Sequence, residues 1–542
     1  MNATHFTETD LIDFLQNPAS YPHGPPSVRL VQTHISLVAI ASPYVFKVKK
    51  PVDFDFLDFS TLAKRKHFCE QEVALNRRLC ARIYEGVVPI WWSEEGFSFE
   101  GTGEPVEYAV KMKELAAAGF LGRLLEENAV GADAIDRVVE KLVGFYRSES
   151  STPEIAAWGR VEKLKISTDE NFDQTASFVG EALPGVTLKA VQYFTEAFYE
   201  REHDLLERRC AEGHLLDCHG DLRAEHIHLS DAGVCIYDCI EFNERFRYID
   251  VASDIAFLAM DLRFHGHPQL SRYLVQQMGD VRGDAVLARL LPFYGCYRAY
   301  VRGKVELMRS EEAEVLFADR ADSRNEARRY FQLALSYAVG GDGPCVIGIM
   351  GRVGSGKTTI AQTLAKVLGW NLVSSDRMRK TLAGVPLRQR GPAAERKRLY
   401  ASTLTEQTYK ALQEHAITNA HAGRSTLIDA TYSRRQHREI LRETLGREHI
   451  PCIFVEATAS DKVLRARLAQ REHQDDMISD ARLEDFEMLT ARYEAPESVQ
   501  DARFFAVSSE TEVEETVGAI LKAIIDQRLS EPVPATAFPV VV

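Results

Sequence analysis

Eight consecutive residues, Gly351-Arg-Val-Gly354-Ser355-Gly356-Lys357-Thr358, satisfy the spacing G-x-x-x-x-G-K-[ST] in full. Glycines so spaced let backbone N–H groups close around a chain of phosphates, and the helix entered through Thr358 and Thr359 adds positive potential at its N-terminus. Lys357 is the expected partner of the β- and γ-phosphates of ATP, and the Thr358 hydroxyl that of a magnesium ion. The loop follows the apolar stretch CVIGIM (345–350) and opens TTIAQTLAKVLG, the strand-then-helix context this chemistry needs.

Three further groups fit transfer of a phosphoryl group. Asp376, in Ser374-Ser-Asp-Arg-Met-Arg379, ends a second apolar strand. In that crevice a carboxylate can orient or deprotonate an acceptor hydroxyl; a helix N-cap is the alternative. Arg379, three residues on, is expected to hold an acceptor phosphate or other anion. Asp429, closing the strand TLIDA, is the candidate second carboxylate near magnesium, or else a cap or turn residue. Arg467 and Arg471 share one helical face in VLRARLAQREHQ and suit a lid over transferring phosphates, or a solvated basic face.

A second constellation lies in the first half. His219-Gly-Asp221-Leu sits between apolar stretches, with IYDCIEF (236–242) close behind. Lys47 lies in the strand YVFKVK and Glu72 on a helix that follows. A lysine for the α/β-phosphates, a helix glutamate to hold it, an aspartate for the acceptor (Asp221) and one for magnesium (Asp238) are the set that kinase-type transfer requires. Lys49, on the same side of the strand two residues on, competes with Lys47, and Glu70 competes with Glu72.

Residues 345–526 resemble the small P-loop kinases that include phage polynucleotide kinase, gluconate-kinase-like and zeta-toxin-like enzymes. GRVGSGKT, the D-x-x-R of Asp376 to Arg379, DAT at 429–431 and the later R-x-x-x-R carry the likeness. It implies Asp376 as acceptor base and Arg467 and Arg471 as lid arginines, and leaves the acceptor unnamed. Residues 28–335 resemble the aminoglycoside-phosphotransferase and choline-kinase branch of the protein-kinase-like fold, through HGDL (219–222) and IYDCIEF. That likeness implies Asp221 as base, Asp238 as metal ligand, Lys47–Glu72 as ion pair, and Asp250 and Asp254 as buttresses. The branch has a magnesium-binding asparagine where this chain has His226, and imidazole is a poor magnesium ligand. No glycine-rich loop lies near 30–41. The order of the two regions resembles bacterial fusions of an aminoglycoside-phosphotransferase-like domain with an ATP-binding protein.

The elements that must position these residues divide the chain. An N-terminal extension (1–27) with a short helix and a Pro/Gly turn precedes a kinase-like N-lobe (28–115). Its strand-like runs are 28–32, 36–41, 44–49, 87–92 and 107–115, with a helix at 64–79. A helical C-lobe (116–339) follows, interrupted by strands at 214–240. Gly340-Gly-Asp-Gly-Pro344 reads as a linker. Apolar strands at 345–350, 371–375, 426–430 and 452–457 then alternate with helices in a P-loop domain (345–528), and a tail (529–542) with three prolines is expected to be disordered. The fold class is therefore α/β and α+β multidomain: a protein-kinase-like fold followed by a P-loop parallel α/β sandwich.

Bulk properties narrow the partners. The chain has 542 residues and a formal charge of −14, a poor general binder of nucleic acid or anionic membrane. Nine scattered cysteines, with Cys235 and Cys239 read as two buried thiols, suit a reducing compartment. With acids before any apolar run and no run near the ~18 residues of a membrane span, a cytoplasmic location is expected. The functional expectation is transfer of the ATP γ-phosphate to a hydroxyl of a small molecule or a nucleic-acid end. A nucleotide-gated regulatory protein, or an antibiotic-modifying enzyme, is the alternative.

Overall fold

The computed structural model describes residues 6–54, 56–312, 317–389, 393–472, 478, 479, 482–496 and 504–530. The ends of the expected extension and tail, 1–5 and 531–542, lie outside these. Two compact units emerge: residues 1–164 with 205–288, and residues 165–204 with 289–541.

The first unit is built on a six-stranded antiparallel sheet. Its strands are β1 (Arg29–Gln32), β2 (Ser36–Ala41), β3 (Tyr44–Lys49), β4 (Tyr84–Ser93), β5 (Gly96–Ser98) and β6 (Glu107–Lys113), in the order β1-β2-β3-β6-β4-β5. The two-residue period of a strand decides which side chains meet. Phe46 and Val48 of β3 enter one core with Leu15, Tyr21, Leu37 and Ile90. Val45 of β3 points the other way, into a cluster with Cys69, Val73 and Val110, so Lys47 and Lys49 share its face. Against that face lies helix α1 (Leu62–Cys80), capped by Thr61, whose hydroxyl accepts from Lys64 N at 3.3 Å. Cys69, Glu72, Val73, Asn76 and Cys80 form its buried stripe, the spacing of a helix lying on a sheet.

Two small antiparallel pairs follow, Leu215–Asp217 with Tyr248–Asp250 and Ile227–Ser230 with Gly233–Ile236. A disulfide joins Cys80, at the end of α1, to Cys235. This corrects the expectation of two buried thiols at 235 and 239: Cys239 is a buried free thiol, and Cys235 is paired.

The second unit holds a five-stranded parallel sheet. Its strands are β7 (Val346–Met350), β8 (Asn371–Ser374), β9 (Thr426–Asp429), β10 (Cys452–Thr458) and β11 (Phe504–Ser508), in the order β8-β9-β7-β10-β11. Every residue of β7 and of β9 is buried, as expected of parallel strands covered on both faces. β11 was not among the expected strands.

The expected linker 340–344 lies inside this unit. Helix Phe317–Gly340 packs on α2 (Lys357–Leu368) and on helix Val513–Ser530. Gln332 Nε2 donates to the Lys366 carbonyl at 2.7 Å, and Trp370 Nε1 to Ser336 Oγ at 3.0 Å. Part of the helical region assigned from sequence to the C-lobe therefore shares a core with the P-loop sheet. Among the described residues no helix is long and apolar enough to cross a membrane.

Candidate functional site

In the second unit the sheet brings its loop and carboxylates to one edge. β7 lies between β9 and β10, and the loop leaving it turns back through three positive-φ glycines, Gly351 (140°), Gly354 (83°) and Gly356 (82°). A Cβ on Gly351 would overlap the Ala457 carbonyl, so the backbone comes closer here than any other residue would allow. Gly356 caps α2 in the left-handed conformation, which hands Lys357, Thr358 and Thr359 to the first helical turn. The Ser355 hydroxyl is buried without a hydrogen-bond partner among the described residues.

Thr358 Oγ1 donates to Asp429 Oδ2 at 2.8 Å, and Lys357 Nζ donates to the Arg352 carbonyl at 3.1 Å. Burial pulls the Lys357 ammonium below its ordinary range, against Asp429 and Asp376, with Arg471 adding to the lowering. Burial likewise raises the Asp429 carboxyl, against Lys357, the Thr358 hydrogen bond and Arg471, while Asp376 adds to the rise. These mutual influences put Lys357, Asp376, Asp429 and Arg471 in one electrostatic neighbourhood. Burial opposes the charge of both Lys357 and Asp429 there, a penalty that phosphate oxygens and a divalent cation would offset.

Asp376 sits in the first turn of α3 (Ser375–Ala383), two residues past Ser374, which pairs with Asp429 across the sheet. The N-cap of α3 is Ser374, so the capping alternative for Asp376 is not realised.

Two of the expected arginines spend donors on neighbouring groups. Arg379 is buried; its Nη1 donates to the Leu399 carbonyl (2.9 Å) and to Thr405 Oγ1 (3.0 Å), and its guanidinium lies over Tyr400. It fastens α3 to the segment that follows, and its Nε is left buried without a hydrogen-bond partner among the described residues. Arg467 donates to Ser509 O (2.6 Å) and Ser509 Oγ (2.9 Å), beside Gly356. Of the two expected lid arginines, Arg467 borders the phosphate loop at Gly356 and Arg471 acts on Lys357 and Asp429.

The first unit gathers its own set. Lys47 Nζ lies 3.0 Å from Glu72 Oε1 and 2.6 Å from Asp238 Oδ1. Lys49 Nζ is 2.7 Å from Glu72 Oε2 and also pairs with Glu241. Both candidate lysines thus meet the same glutamate, one on each oxygen, while Glu70 is exposed on the far side of α1 beside Lys66. Burial opposes the Lys47 charge, but Asp238, Glu72 and Glu241 outweigh it and hold the ammonium well above its ordinary value. Against desolvation, Lys47 and then His226 hold Asp238 well below the carboxylate range. Burial pushes Glu241 up despite Lys49.

Asp254 accepts from the His219 and Gly220 amides at 3.0 and 2.9 Å and from the Tyr146 hydroxyl at 2.8 Å, so it shapes the loop that carries Asp221. Gly220 there has φ 85°, and a Cβ would press on the Phe246 carbonyl at 2.7 Å. Both Asp221 oxygens are engaged by Arg223, Nε to Oδ1 at 2.9 Å and Nη2 to Oδ2 at 3.0 Å. His226 Nδ1 faces the Asp221 carbonyl at 2.8 Å, and its Nε2 stands 3.6 Å from Asp238 Oδ2. Sequence spacing missed Lys49–Glu72–Glu241 and Arg223–Asp221. The signal available for the second was an arginine two residues after the aspartate.

Magnesium, expected at both places, fits them unequally. Thr358 and Asp429 offer hard oxygens beside the phosphate loop, the donor type magnesium takes. Asp238 is already paired with Lys47, and His226 offers nitrogen, so that pair fits poorly. Among the described residues no group of three or more His, Cys, Asp and Glu side chains is arranged to hold a metal.

Known proteins resemble this chain at two scales. Over 446 residues it is 27% identical to an uncharacterized protein of Mycobacterium tuberculosis (strain ATCC 25618 / H37Rv), covering 82% of this chain and 86% of that one, and equally to one of Mycobacterium bovis. A gluconokinase from Sinorhizobium meliloti is similar at 21% identity over 33% of this chain and 91% of its own, with a TM-score of 0.25. The Mycobacterium tuberculosis APS kinase CysC, solved with AMPPNP and APS, is similar at 15% identity over 34% and 98%, with a TM-score of 0.27. Residues 346–496, which carry the phosphate loop and its carboxylates, match the AAA domain family (AAA_33).

Proposed function

We propose that the chain is an ATP-dependent phosphotransferase whose P-loop unit moves the γ-phosphate to an acceptor hydroxyl. The observation that carries this is the loop at the end of β7, with the Thr358–Asp429 hydrogen bond on one side and Asp376 in the first turn of the helix that follows β8. Backbone amides of 351–358 and Lys357 hold the β- and γ-phosphates; Thr358 and Asp429 would hold magnesium, which supplies charge neutralisation there. Asp376 takes the proton as the acceptor oxygen bonds to phosphorus, and the bond from the γ-phosphorus to the bridging oxygen breaks, leaving ADP. Arg471 stabilises charge spread over the transferred group.

In this reading the first unit is a protein-kinase-like, aminoglycoside-phosphotransferase-like nucleotide fold, with Lys47 on the α/β-phosphates, Asp221 as acceptor base and Asp238 as metal ligand. A second reading, that this unit binds nucleotide to regulate without turnover, is favoured by the Arg223 fork on Asp221. A carboxylate with both oxygens in an ion pair is a weak base.

The test is a mass-spectrometric screen of small molecules and oligonucleotides incubated with the protein and γ-labelled ATP. It is repeated with Lys357→Ala and with Asp221→Ala. A labelled product lost only in Lys357→Ala supports transfer by the P-loop unit and a regulatory first unit. One lost only in Asp221→Ala assigns turnover to the first unit, and ATP hydrolysis with no labelled product contradicts the kinase reading.

A further inference from the structure

A cavity of about 420 Å³ opens between helices α4 (Ser402–His421) and α5 (Arg435–Arg447) of the second unit, within the size range of small-molecule sites. Aromatic rings line it through Tyr409, Tyr432 and His437, and aliphatic groups through Ile440 and Leu441. None of them holds or transfers the phosphate.

Tyr409 and His437 are stacked, with ring centroids 4.2 Å apart and planes at 29°, and Tyr409 lies 5.0 Å from Tyr432. The charges at the cavity are matched from within. His437 Nε2 donates to Glu406 Oε1 at 3.0 Å, and Lys410 stands 3.7 Å from Glu414. Gln407 and Gln413 add amides, which both donate and accept. His437 is 5% exposed, and its Nδ1 is buried without a hydrogen-bond partner among the described residues. An unmade bond at a buried ring nitrogen is costly, and in a residue of the cavity wall a bound molecule is the partner that would complete it. Aromatic faces favour a flat ring that extends their stack. Matched charges favour a neutral molecule, and the amides with the orphaned nitrogen favour one whose edge carries donors and acceptors. A neutral heteroaromatic ring meets all three conditions, whereas a sugar would leave hydroxyls against Ile440 and Leu441.

The cavity wall is also bonded to the phosphate loop. Tyr432 stands at φ 43°, a strained backbone for an aromatic residue. The two flanking helices hold it there. Tyr432 N donates to the Tyr409 hydroxyl of α4 at 3.2 Å, and Arg438 Nη1 of α5 donates to the Tyr432 carbonyl at 2.7 Å. One residue earlier, the Thr431 carbonyl accepts from Gly351 N at 3.5 Å. Two residues before that, Asp429 accepts from Thr358. The segment 429–432 therefore touches the first and last residues of the phosphate loop at one end and the cavity at the other, and a ring that moves Tyr409 acts on the bond that holds Tyr432.

We propose that this cavity is an effector site for a neutral heteroaromatic compound, and that its occupancy sets nucleotide affinity at the phosphate loop through Tyr432. The link to nucleotide affinity rests on the reading of Gly351–Thr358 as a nucleotide site; the binding of the ring does not.

The experiment uses the full chain saturated with magnesium and ADP, so that nucleotide sites are filled. Uracil, nicotinamide and glucose are titrated by calorimetry. At least one of the two planar compounds should bind, glucose should not, and Ile440→Arg, a change at an exposed position, should abolish binding. The P-loop affinity for magnesium–ADP, the part lost in Lys357→Ala, should shift by about fivefold or more when the planar compound is bound. Tyr409→Phe keeps the ring and removes the hydroxyl that holds Tyr432, so it should keep the compound's binding and lose the shift. Failure of both planar compounds to bind, equal binding of glucose, or unchanged binding in an Ile440→Arg protein that still melts cooperatively and binds ADP overturns the site. Binding that leaves ADP affinity unchanged, or a shift that persists in Tyr409→Phe, overturns the link to the phosphate loop. Failure of the wild type to bind ADP is a different result: it overturns the P-loop reading, and the planar compounds, titrated into the free chain, still decide the site.

Discussion

The two units present a lysine among carboxylates in opposite states. In the first, Lys47 and Lys49 are matched by Glu72, Asp238 and Glu241, and the Lys47 ammonium is held well above its ordinary range. In the second, Lys357 bonds a backbone carbonyl, burial draws it below its ordinary range, and burial raises the nearby Asp429. One site is neutralised from within. The other keeps a buried cation and a buried acid whose desolvation outweighs their mutual attraction, and a phosphate chain with a divalent ion would offset it. In the first unit a ligand phosphate would have to compete with Asp238 for Lys47, whereas in the second Lys357 gives up only a backbone carbonyl.

The contrast can be broken in order of expected effect. Asp376→Asn should lower the turnover of γ-phosphate transfer by about a thousandfold, within the usual range for a lost general base, with ATP affinity retained. Full turnover in that variant removes Asp376 from its role. Glu72→Gln should cost the first unit about 3–5 kcal/mol, because two lysines then share one uncharged buried partner. Thermal unfolding monitors that loss, and unchanged ADP affinity at the P-loop would separate it from the second unit.

The smallest effect is in pH. Asp238 is depressed in the folded state, so its stabilisation is complete above the ordinary carboxylate value of about 4 and is lost as pH falls through and below it. Asp429 is raised, so its ionisation in the folded state costs stability above about pH 4, and acidification relieves that cost. Hydrogen exchange followed by segment at descending pH should therefore show β3 losing protection in acid ahead of β7 and β9. Asp238→Asn should flatten the response of β3. Equal acid sensitivity in the two sheets, unchanged by that variant, contradicts the contrast.

Much of this was legible in the residues. The phosphate loop is a spacing of glycines with a lysine, and apolar runs such as CVIGIM and TLIDA announce buried parallel strands. The two-residue period placed Lys47 and Lys49 on one face of β3, and the structure gives Glu72 to both. What spacing does not encode is how a long side chain spends its hydrogen bonds. Arg379 turns inward to the Leu399 carbonyl and Arg467 to Ser509, since carbonyls left without partners at turn and helix ends accept from any guanidinium within reach. β11, the short run FFAVS, has a partly exposed pattern, without the continuous burial that marked its neighbours. The packing of helix Phe317–Gly340 on α2 depends on contacts such as Trp370 with Ser336, across a Gly-rich stretch that composition alone marks as a break.

The most direct test is titration of magnesium and ATP into the well-folded chain and into Lys357→Ala, by calorimetry. Filling of the pocket at Gly351–Thr358 predicts heat of binding in the wild type and a loss of about a hundredfold or more in affinity on removal of the ammonium, about 2.7 kcal/mol. No binding to the wild type, or equal affinity in the two proteins, would contradict it.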